Sequence, residues 1–465
     1  MRNSAVHNNW ISWMFTAGVF FILVSGSLLS EGMFVDGVTY AAISRNMAFG
    51  QGTFWNPYYT ASLYPVFHQH PPLALAMESL FFKILGDSVV VERLYSVMVF
   101  ALTGLMICLV WKRMTGSFCR CWLPVLFWIS IPIVSWGATN NMLEGTMSVF
   151  VMASVMAMMD SLAGNRYINL FLASVMLFLA FLSKGFTGLF TLTFPLVCCL
   201  VGKKSSFKEA VIDTLVLIAG VALCFVILFL LSSASYEALG DYLRVQVMNG
   251  IAVERTVGSR FFILGRLCAE IAVPFVVLSC ASLVACTLHR YSRPKLSGRW
   301  DRVFFVVGLA GVLPIMVSLK QSGFYMLSAM PFFALSLAFF AVEHIDFDSA
   351  APKMAKTMWL VLASLVLTVG LAINVNQYGK YGRDEALLTD IKTILPYLEE
   401  NEVISIPEAD FPIWINHAYF MRYGKTSLSS GKGHGHLIAT CRLENVEGYN
   451  YINLNTSKLF LYERK

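Results

Sequence analysis

Charge is the scarcest component of this chain. Only 13% of its 465 residues are Asp, Glu, Lys or Arg, whereas 57% are hydrophobic and the mean hydropathy is +0.66. A soluble domain does not need so much apolar surface, so the composition excludes a soluble protein. The formal net charge of +6 comes mostly from short loops between apolar runs and indicates no nucleic-acid partner. We therefore predict a multi-pass integral membrane protein.

Three other features are missing. The ten cysteines mostly stand singly inside apolar runs, which excludes a disulfide or zinc framework. The first apolar run has no small-x-small cleavage pattern, so we interpret it as a retained helix rather than a signal peptide. No internal repeat of the kind found in inverted-repeat transporters is visible.

Long apolar runs dominate what is present. A helix of about 20 residues crosses a bilayer core of about 30 Å. Eleven runs approach or reach that length, which predicts an all-α bundle of about eleven transmembrane helices. They lie at 10–30, 91–112, 119–138, 143–162, 166–184, 186–202, 211–232, 262–288, 303–318, 325–342 and 357–377.

Basic residues mark the inner loops. With a cytoplasmic amino terminus, Lys and Arg gather in alternate loops, as the positive-inside rule requires. Examples are Lys112, Arg113, Lys203, Lys204, Lys208, Arg290, Arg293 and Lys295. This orientation places the first loop (31–90), the loop at 233–261 and the tail after Gln377 on the extracytoplasmic face.

Two outer segments have structure of their own. In the first outer loop, Asp36–Phe49 and the stretch from Pro71 through Phe82 have helical spacing and predict two interfacial helices. We divide the chain into a transmembrane domain, 1–377, and a small extracytoplasmic α/β domain, 378–465. The latter combines a helical pattern at Arg383–Glu400 with strand-like runs at 403–406, 413–415 and 458–462. Its size is near the lower limit for an independent core, so we expect it to pack on the bundle.

Five polar clusters fall at outer helix ends in this topology. Ionisable groups near the hydrocarbon are costly and tend to be functional, so their convergence on one face predicts a site. The candidate residues are Asp36, Tyr40 and Arg45; His68 and His70; Asn141 and Glu144; Lys184; and Lys320 with Tyr325.

Each cluster also has a structural explanation. Asp36 could cap the helix that follows it, and Glu144 could complement a helix dipole. Lys184 and Lys320 could be snorkelling residues at helix ends, and both histidines could be ordinary interfacial side chains.

The motifs in these clusters resemble those of the GT-C membrane glycosyltransferases. They are Asp-Gly-x-x-Tyr-Ala-x-x-x-Arg-Asn-Met-Ala-x-Gly, His-Pro-Pro-Leu, Asn-x-Met-Leu-Glu, Leu-Ala-Phe-Leu-Ser-Lys-Gly and Lys-Gln-Ser-Gly-Phe-Tyr-Met-Leu-x-x-x-Pro, in order over residues 10 to about 342. The most similar branch holds the aminoarabinose transferases of lipid A, the rhizobial lipopolysaccharide galacturonosyltransferases and the protein O-mannosyltransferases.

The resemblance implies transfer of a sugar from a polyprenyl-phosphate donor to a lipid, glycan or protein acceptor on the extracytoplasmic face. The setting it implies is a bacterial inner membrane, with the site facing the periplasm or exterior. Asp36 matches the essential acidic residue of the first loop, and Glu144 matches a second acidic position that can help bind a metal.

The resemblance also implies roles for the basic and aromatic candidates. Lys184, Lys320, Tyr325 and His70 would bind the donor phosphate, with Tyr40, Arg45, His68 and Asn141 as substrate-binding candidates. A divalent ion (Mg, Mn or Zn) could lie between Asp36 and Glu144.

Two residues depart from the family pattern. Gly37 stands where many relatives have Glu, which removes one carboxylate. His70 stands where lysine is common, which makes phosphate binding more dependent on pH.

The residue types suit this chemistry on independent grounds. A phosphate leaving group needs positive charge rather than a general acid, and the attacking hydroxyl needs a base, for which Asp36 is the candidate. Direct displacement would invert the sugar carbon, whereas two carboxylates could also indicate a retaining mechanism. The rival hypotheses are a transporter or flippase of lipid-linked sugars and a non-catalytic scaffold.

Overall fold

The structure is a computed structural model that describes residues 9–287, 299–345, 353–431, 433–444 and 446–465. The basic residues Arg290, Arg293 and Lys295, which the sequence assigns to an inner loop, lie outside the described residues.

The transmembrane part is helical. Its helices are α1 (Asn9–Leu23), α2 (Val35–Ala48), α3 (Leu73–Leu85), α4 (Val91–Thr115), α5 (Trp122–Ile129), α6 (Pro132–Gly137), α7 (Leu143–Ser161), α8 (Arg166–Lys184), α9 (Phe194–Leu200), α10 (Phe207–Leu231), α11 (Ser233–Tyr242), α12 (Asn249–Ala252), α13 (Phe262–Thr287), α14 (Trp300–Val312), α15 (Met330–His344) and α16 (Lys353–Asn376). Short 3₁₀ segments precede α9 and α15 (Phe186–Thr193 and Gly323–Ala329), and a third follows α14 (Leu313–Val317).

Within the described ranges, eight helices are long and apolar enough to cross a membrane. They are Val91–Thr115, Leu143–Ser161, Arg166–Lys184, Phe207–Leu231, Phe262–Thr287, Trp300–Val317, Gly323–His344 and Met354–Asn376. The multi-pass membrane architecture is therefore confirmed.

The other three predicted spans are helical but shorter or broken. Asn9–Leu23 and Phe186–Leu200 fall below spanning length, and the run at 119–138 divides into α5 and α6. The break follows from Pro132, which begins α6 and holds Ile131 in extended backbone because a residue before proline avoids helical angles. The count of eleven spans stays a prediction.

Burial separates central helices from peripheral ones. In the best spanning window of Gly323–His344, 72% of residues are buried inside the protein, against 11% in Phe207–Leu231. A helix whose apolar side chains are this exposed must face lipid. The segment ending in α15, which begins just after Lys320, therefore lies in the middle of the bundle, and α10 lies at its edge.

The first outer loop contains the two predicted helices, α2 and α3. Ten successive residues of α2, from Gly37 to Asn46, are buried. A surface helix would leave one face exposed, so α2 is a layer enclosed between the bundle and the outer domain.

The outer domain is α/β, as predicted. It comprises α17 (Glu385–Ile394), β1 (Val403–Ser405), α18 (Trp414–Gly424), β2 (Ser427–Ser429), β3 (His436–Ala439), β4 (Tyr449–Ile452) and β5 (Phe460–Arg464). The sheet order is β2-β1-β3-β5-β4, with β1 parallel to β2 and β3, and β5 antiparallel to β3 and β4.

One predicted strand in this domain is wrong. The run at 413–415 leads into helix α18, whereas the runs at 403–406 and 458–462 correspond to β1 and β5. A three-residue apolar run cannot distinguish a strand from a buried helix, and here packing of α18 on α2 decides the outcome.

The outer domain shares its core with the first outer loop. Met33 and Val38 are buried in the same cluster as Leu388, Ile404 and Tyr419. The small domain thus packs on the first outer loop, close to Asp36.

Candidate functional site

The start of α2 positions Asp36. The N-cap residue is Phe34, whose backbone N–H donates to Asn140 Oδ1 at 2.9 Å, and no side chain caps the helix. Asp36 lies in the first turn, is half-buried and accepts no hydrogen bond from any residue that the structure describes. The capping explanation for Asp36 therefore does not hold, and its carboxylate is free to accept a proton.

Gly37 allows α2 to approach the turn before α7. A Cβ at this position would lie 2.0 Å from the Asn140 carbonyl oxygen and 2.8 Å from Met33 Sδ. The Asn141 amide also donates to the Gly37 carbonyl oxygen at 3.2 Å. A longer side chain would not fit here without moving α2, so Gly37 is a packing requirement of this chain.

Lys184, the last residue of α8, gathers three other predicted site residues. Its Nζ lies 3.2 Å from Glu144 Oε1, 3.2 Å from the Tyr40 hydroxyl and 3.4 Å from His70 Nε2. Lys184 is only 7% exposed and Glu144 only 1%. A side chain this enclosed is not snorkelling to water, so the ammonium serves the cluster.

Glu144 occupies the first turn of α7 with free hydrogen-bonding capacity. It forms the ion pair with Lys184, but neither of its carboxylate oxygens accepts a hydrogen bond with good geometry from the described residues. A buried carboxylate is normally fully hydrogen-bonded. Oε1 faces the Lys184 ammonium, so the remaining acceptor capacity of this carboxylate, chiefly at Oε2, is open to a ligand group.

The charges at this end of the bundle are coupled. Burial raises the pKa of Asp36 above its ordinary value, and the positive charges of Lys184 and Lys320 partly offset the rise. Burial, together with the Asp36 and Glu144 carboxylates, holds the pKa of Tyr40 well above 10. Asp36 is thus a stronger base than an exposed aspartate, and Tyr40 is a neutral phenol that accepts from Lys184.

His70 is uncharged in this arrangement. Burial lowers the pKa of its imidazole well below the usual value, and the positive charges of Lys184 and Lys320 lower it further. Because the Lys184 ammonium can only donate, Nε2 is the acceptor and the proton lies on Nδ1. Nδ1 is buried without a hydrogen-bond partner among the described residues, which leaves one donor for a ligand.

Lys320 approaches the cluster from the segment between α14 and α15. Its Nζ donates to Gln246 Oε1 at 2.9 Å and pairs with Glu254 Oε2 at 2.6 Å. Ser318 connects this segment to the 233–261 loop by donating to the Gly250 carbonyl oxygen at 2.6 Å. Gln246 was missed in the sequence because a lone glutamine in a mixed loop carries no motif.

A cavity of ≈ 240 Å³ is lined by several of these residues, although Asp36 and Tyr40 are not among them. Its polar lining is His70, Glu144, Lys184, Thr187, Tyr242, Gln246, Ser318, Lys320 and Tyr325. Its apolar lining is Phe186, Val247, Ile251, Pro314, Ile315 and Val317. The lining therefore combines charged groups that suit an anion with apolar side chains that suit a hydrocarbon chain.

A larger cavity of ≈ 600 Å³ lies elsewhere, between α1, α4 and α5. Its lining includes Trp13, Phe100 and Trp128 and contains no charged side chain. Size alone would favour this cavity, but it offers no group for acid–base or phosphate chemistry.

The residues around Asp36 and Glu144 do not fit a resident metal. Within the described ranges, no group of three or more His, Cys, Asp or Glu side chains could hold a metal ion. The Lys184 ammonium also lies against Glu144, where a bound cation would be repelled. The positive charge of this site is that of lysine.

Three predicted substrate-binding residues lie in other contacts. Arg45 donates to the Met421 carbonyl oxygen at 2.6 Å, and His68 lies 2.9 Å from Asp241 Oδ2. Asn141 donates to Glu78 Oε1 at 2.7 Å. The structure brings Tyr40 into the cluster but not these three.

Glu78 is a buried acid that the sequence did not single out. It accepts from Ser44 Oγ at 2.8 Å and from Asn141, and burial raises the pKa of its carboxyl to about 8. It connects α3 to α2 and to the turn before α7. Its role is to fix the backbone around Gly37, and one Glu within an amphipathic helix gives no sign of that.

Comparisons with known proteins bear on the fold and on part of the sequence. The family model described as dolichyl-phosphate-mannose-protein mannosyltransferase matches residues 69–233. No curated protein matches the chain.

Solved structures share the fold over nearly the whole chain. ArnT from Cupriavidus metallidurans bound to undecaprenyl phosphate is 13% identical, with a TM-score of 0.66 and 98% of each chain covered. The apo oligosaccharyltransferase from Archaeoglobus fulgidus is 12% identical, with a TM-score of 0.54, and the match covers 91% of this chain and 65% of that one.

The solved structures show the fold of this chain. The chain has the fold of the GT-C membrane glycosyltransferases. The resemblance that its short motifs indicate is confirmed, and the shared fold covers 98% of the ArnT chain.

Proposed function

We propose that this protein is an integral-membrane glycosyltransferase that moves a sugar from a polyprenyl-phosphate donor to a lipid, glycan or protein acceptor. The site would face the periplasm or exterior of a bacterial inner membrane. The observation that carries the proposal is the ≈ 240 Å³ cavity, whose lining combines Lys184 and Lys320 with apolar side chains. A polyprenyl phosphate likewise combines an anionic group with an apolar chain.

The donor phosphate would bind between the two lysines. Lys184 and Lys320 supply charge, and the unpartnered Nδ1–H of His70 supplies a directed hydrogen bond. Tyr325, which also lines the cavity, would donate its hydroxyl proton. Charge-assisted bonds of this kind strengthen as the phosphate gains negative charge, so they favour departure of the leaving group.

The first isoprene units would lie against the apolar side chains of the lining. Phe186, Val247, Ile251 and Ile315 are among these side chains. Burying apolar surface contributes roughly 25 cal/mol per Å², so the lipid tail supplies affinity while the phosphate supplies orientation.

Asp36 would act as the base. The acceptor hydroxyl oxygen attacks the anomeric carbon, the bond from that carbon to the phosphate oxygen breaks, and the hydroxyl proton passes to Asp36. Polyprenyl phosphate leaves with the electron pair of the broken bond. A single displacement inverts the anomeric carbon, and no step uses a metal ion.

Glu144 would hold Lys184 in place before the donor arrives. When phosphate replaces it as the partner of Lys184, its free oxygens can accept hydrogen bonds from sugar hydroxyls. Both buried charges, those of Glu144 and Lys184, then have a partner before and after the donor binds.

The test is reconstitution in nanodiscs with a panel of polyprenyl-phosphate sugars that carry labelled glycosyl groups. The expected result is release of polyprenyl phosphate that depends on an added acceptor extract. The proposal fails if a folded protein consumes no member of a panel that spans neutral, amino and acidic sugars.

A further inference from the structure

We infer that the outer domain is a positioning device for the helix that bears Asp36, and that Tyr419 is its principal positioning residue. The inference rests on the proposed role of Asp36 as base. None of the described residues of the outer domain lines the cavity that contains Lys184 and Lys320. The domain would therefore affect the reaction indirectly, by holding α2.

Tyr419 holds the entry to α2. Its buried hydroxyl lies 3.3 Å from the Met33 backbone N–H and 3.2 Å from the Met33 carbonyl oxygen. It also donates to Asp384 Oδ2 at 2.9 Å, which orients the hydroxyl so that its oxygen accepts from Met33. Met33 lies three residues before Asp36, so these bonds fix the turn that sets the direction of the carboxylate.

A second contact holds the other end of α2. Arg45, in the last turn, donates to the Met421 carbonyl oxygen at 2.6 Å. Tyr419 and Met421 both belong to α18, so one helix of the outer domain holds α2 at both ends. Val38, in the first half of α2, is buried in the core of the outer domain between these two contacts.

Arg422 fixes α18 to the transmembrane bundle. It pairs with both carboxylate oxygens of Glu92 in α4, at 3.2 and 3.0 Å, and with Asp87 Oδ1 at 2.7 Å. Arg422 and Glu92 are both buried. A buried ion pair gives little net stability but tolerates only one geometry, so it suits a role in alignment.

These contacts form a continuous chain from α4 through α18 to both ends of α2. Span α4 holds Arg422, α18 carries Tyr419 and Met421, and these hold the two ends of α2. Misplacement of a catalytic group by about 1 Å can cost roughly a hundredfold in rate, so loosening the connection should be visible in catalysis.

Tyr419→Phe tests the inference, because it removes the hydroxyl and keeps the ring. Tyr423→Phe is the matched control, since Tyr423 lies one turn further along α18, stacks on Tyr419 at 5.7 Å and makes no hydrogen bond within the described residues. Arg45→Gln is the second variant and loosens the other end of α2.

Two measurements are made on the full-length protein in nanodiscs. Hydrogen exchange of the backbone amides at 34–45 should rise at least tenfold in Tyr419→Phe and Arg45→Gln and remain at the wild-type rate in Tyr423→Phe. Turnover with a saturating lipid-linked sugar should fall tenfold to a hundredfold, with the donor KM unchanged.

The pH dependence separates positioning from simple destabilisation. Burial raises the pKa of Asp36, so a loosened and better hydrated α2 should move the acid limb of the turnover curve to lower pH. Loss of folded protein would lower turnover equally at every pH. Wild-type exchange in α2 of Tyr419→Phe, or an unmoved acid limb, would overturn the inference.

The proposed function can fail separately. If the wild type transfers no sugar while exchange at 34–45 still rises in Tyr419→Phe, the assignment of Asp36 as a catalytic base is wrong but the outer domain still positions α2.

Discussion

Replacing Asp36 by Asn gives the sharpest prediction of this account. The substitution keeps the size and shape of the side chain and removes its negative charge and its ability to take a proton. Asp36 is half-buried in the first turn of α2 and accepts no hydrogen bond from the described residues, so few native contacts are lost.

The expected effects on activity and stability have opposite signs. A positioned base contributes roughly 10²–10⁴-fold, so turnover should fall by that factor, equivalent to about 3–5 kcal/mol of barrier. Folding raises the pKa of Asp36, so its ionisation destabilises the folded protein as pH rises. At neutral pH the thermal midpoint of Asp36→Asn should equal or exceed that of the wild type.

The pH profile gives an independent test of the same assignment. The wild type should lose activity as pH falls through the raised pKa of Asp36, above about 3.9, the ordinary value for aspartate. Asp36→Asn should keep only residual activity without that acid limb. The assay follows polyprenyl phosphate release from nanodisc-embedded enzyme between pH 4 and 9.

A matched control is available on the same face. Glu237, in α11, is exposed, and Glu237→Gln should leave turnover and pH profile unchanged. Wild-type turnover in a folded Asp36→Asn protein would refute the reasoning. So would an equal loss in Glu237→Gln, because that would indicate a general charge effect.

The remaining predictions concern the lysines and Gly37. Lys184→Met leaves Glu144 buried and unpaired, so it should cost about 3–5 kcal/mol of stability. The double variant with Glu144→Gln should regain the thermal midpoint of the wild type but should not bind the donor. Recovery of donor binding in the double variant would contradict the role of Lys184. Lys320→Gln loses a pair whose members are 22% and 44% exposed, so stability should change by about 0–1 kcal/mol while the donor KM rises at least tenfold; an unchanged KM would remove Lys320 from the site. Gly37→Ala should lower turnover and should lower stability by about 1–3 kcal/mol, seen as a lower thermal midpoint, because the added Cβ would meet the Asn140 carbonyl oxygen. Gly26→Ala is the control and should lower neither quantity, because no atom lies within 4 Å of its added Cβ.

The general architecture could be predicted because lipid restricts the backbone structures that can cross a membrane. Apolar runs of sufficient length must be helices, and ionisable side chains such as Lys184 are costly enough near lipid to mark function. The break at Pro132 was not predicted, because the apolar run around it was assigned from its length and hydropathy, without the effect of a proline on the residue before it. The helix at Trp414 was not predicted, because it depends on packing against α2.

The candidate site was predictable only in part. Asp36, Tyr40, Glu144 and Lys184 stand in motifs, and the fold brings the last three into contact at the Lys184 ammonium. Glu78 has no motif around it, and its importance comes from partners in distant parts of the chain.

Contacts between the two domains could not be predicted from the sequence either, because the partners lie far apart in the chain. Tyr419 and Met33 are 386 residues apart, and nothing in either segment indicates that they meet. The sequence therefore indicated which residues could do chemistry, while the structure indicated which residues hold them in place.

The most direct measurement follows the fate of a lipid-linked sugar in sealed proteoliposomes that present it on the outer leaflet with an acceptor. The account predicts that wild-type protein splits the donor, releasing polyprenyl phosphate and forming a glycosylated acceptor, and that Asp36→Asn does neither. If the intact lipid-linked sugar instead crosses the bilayer unsplit in both proteins, the protein is a transporter and the central claim is wrong.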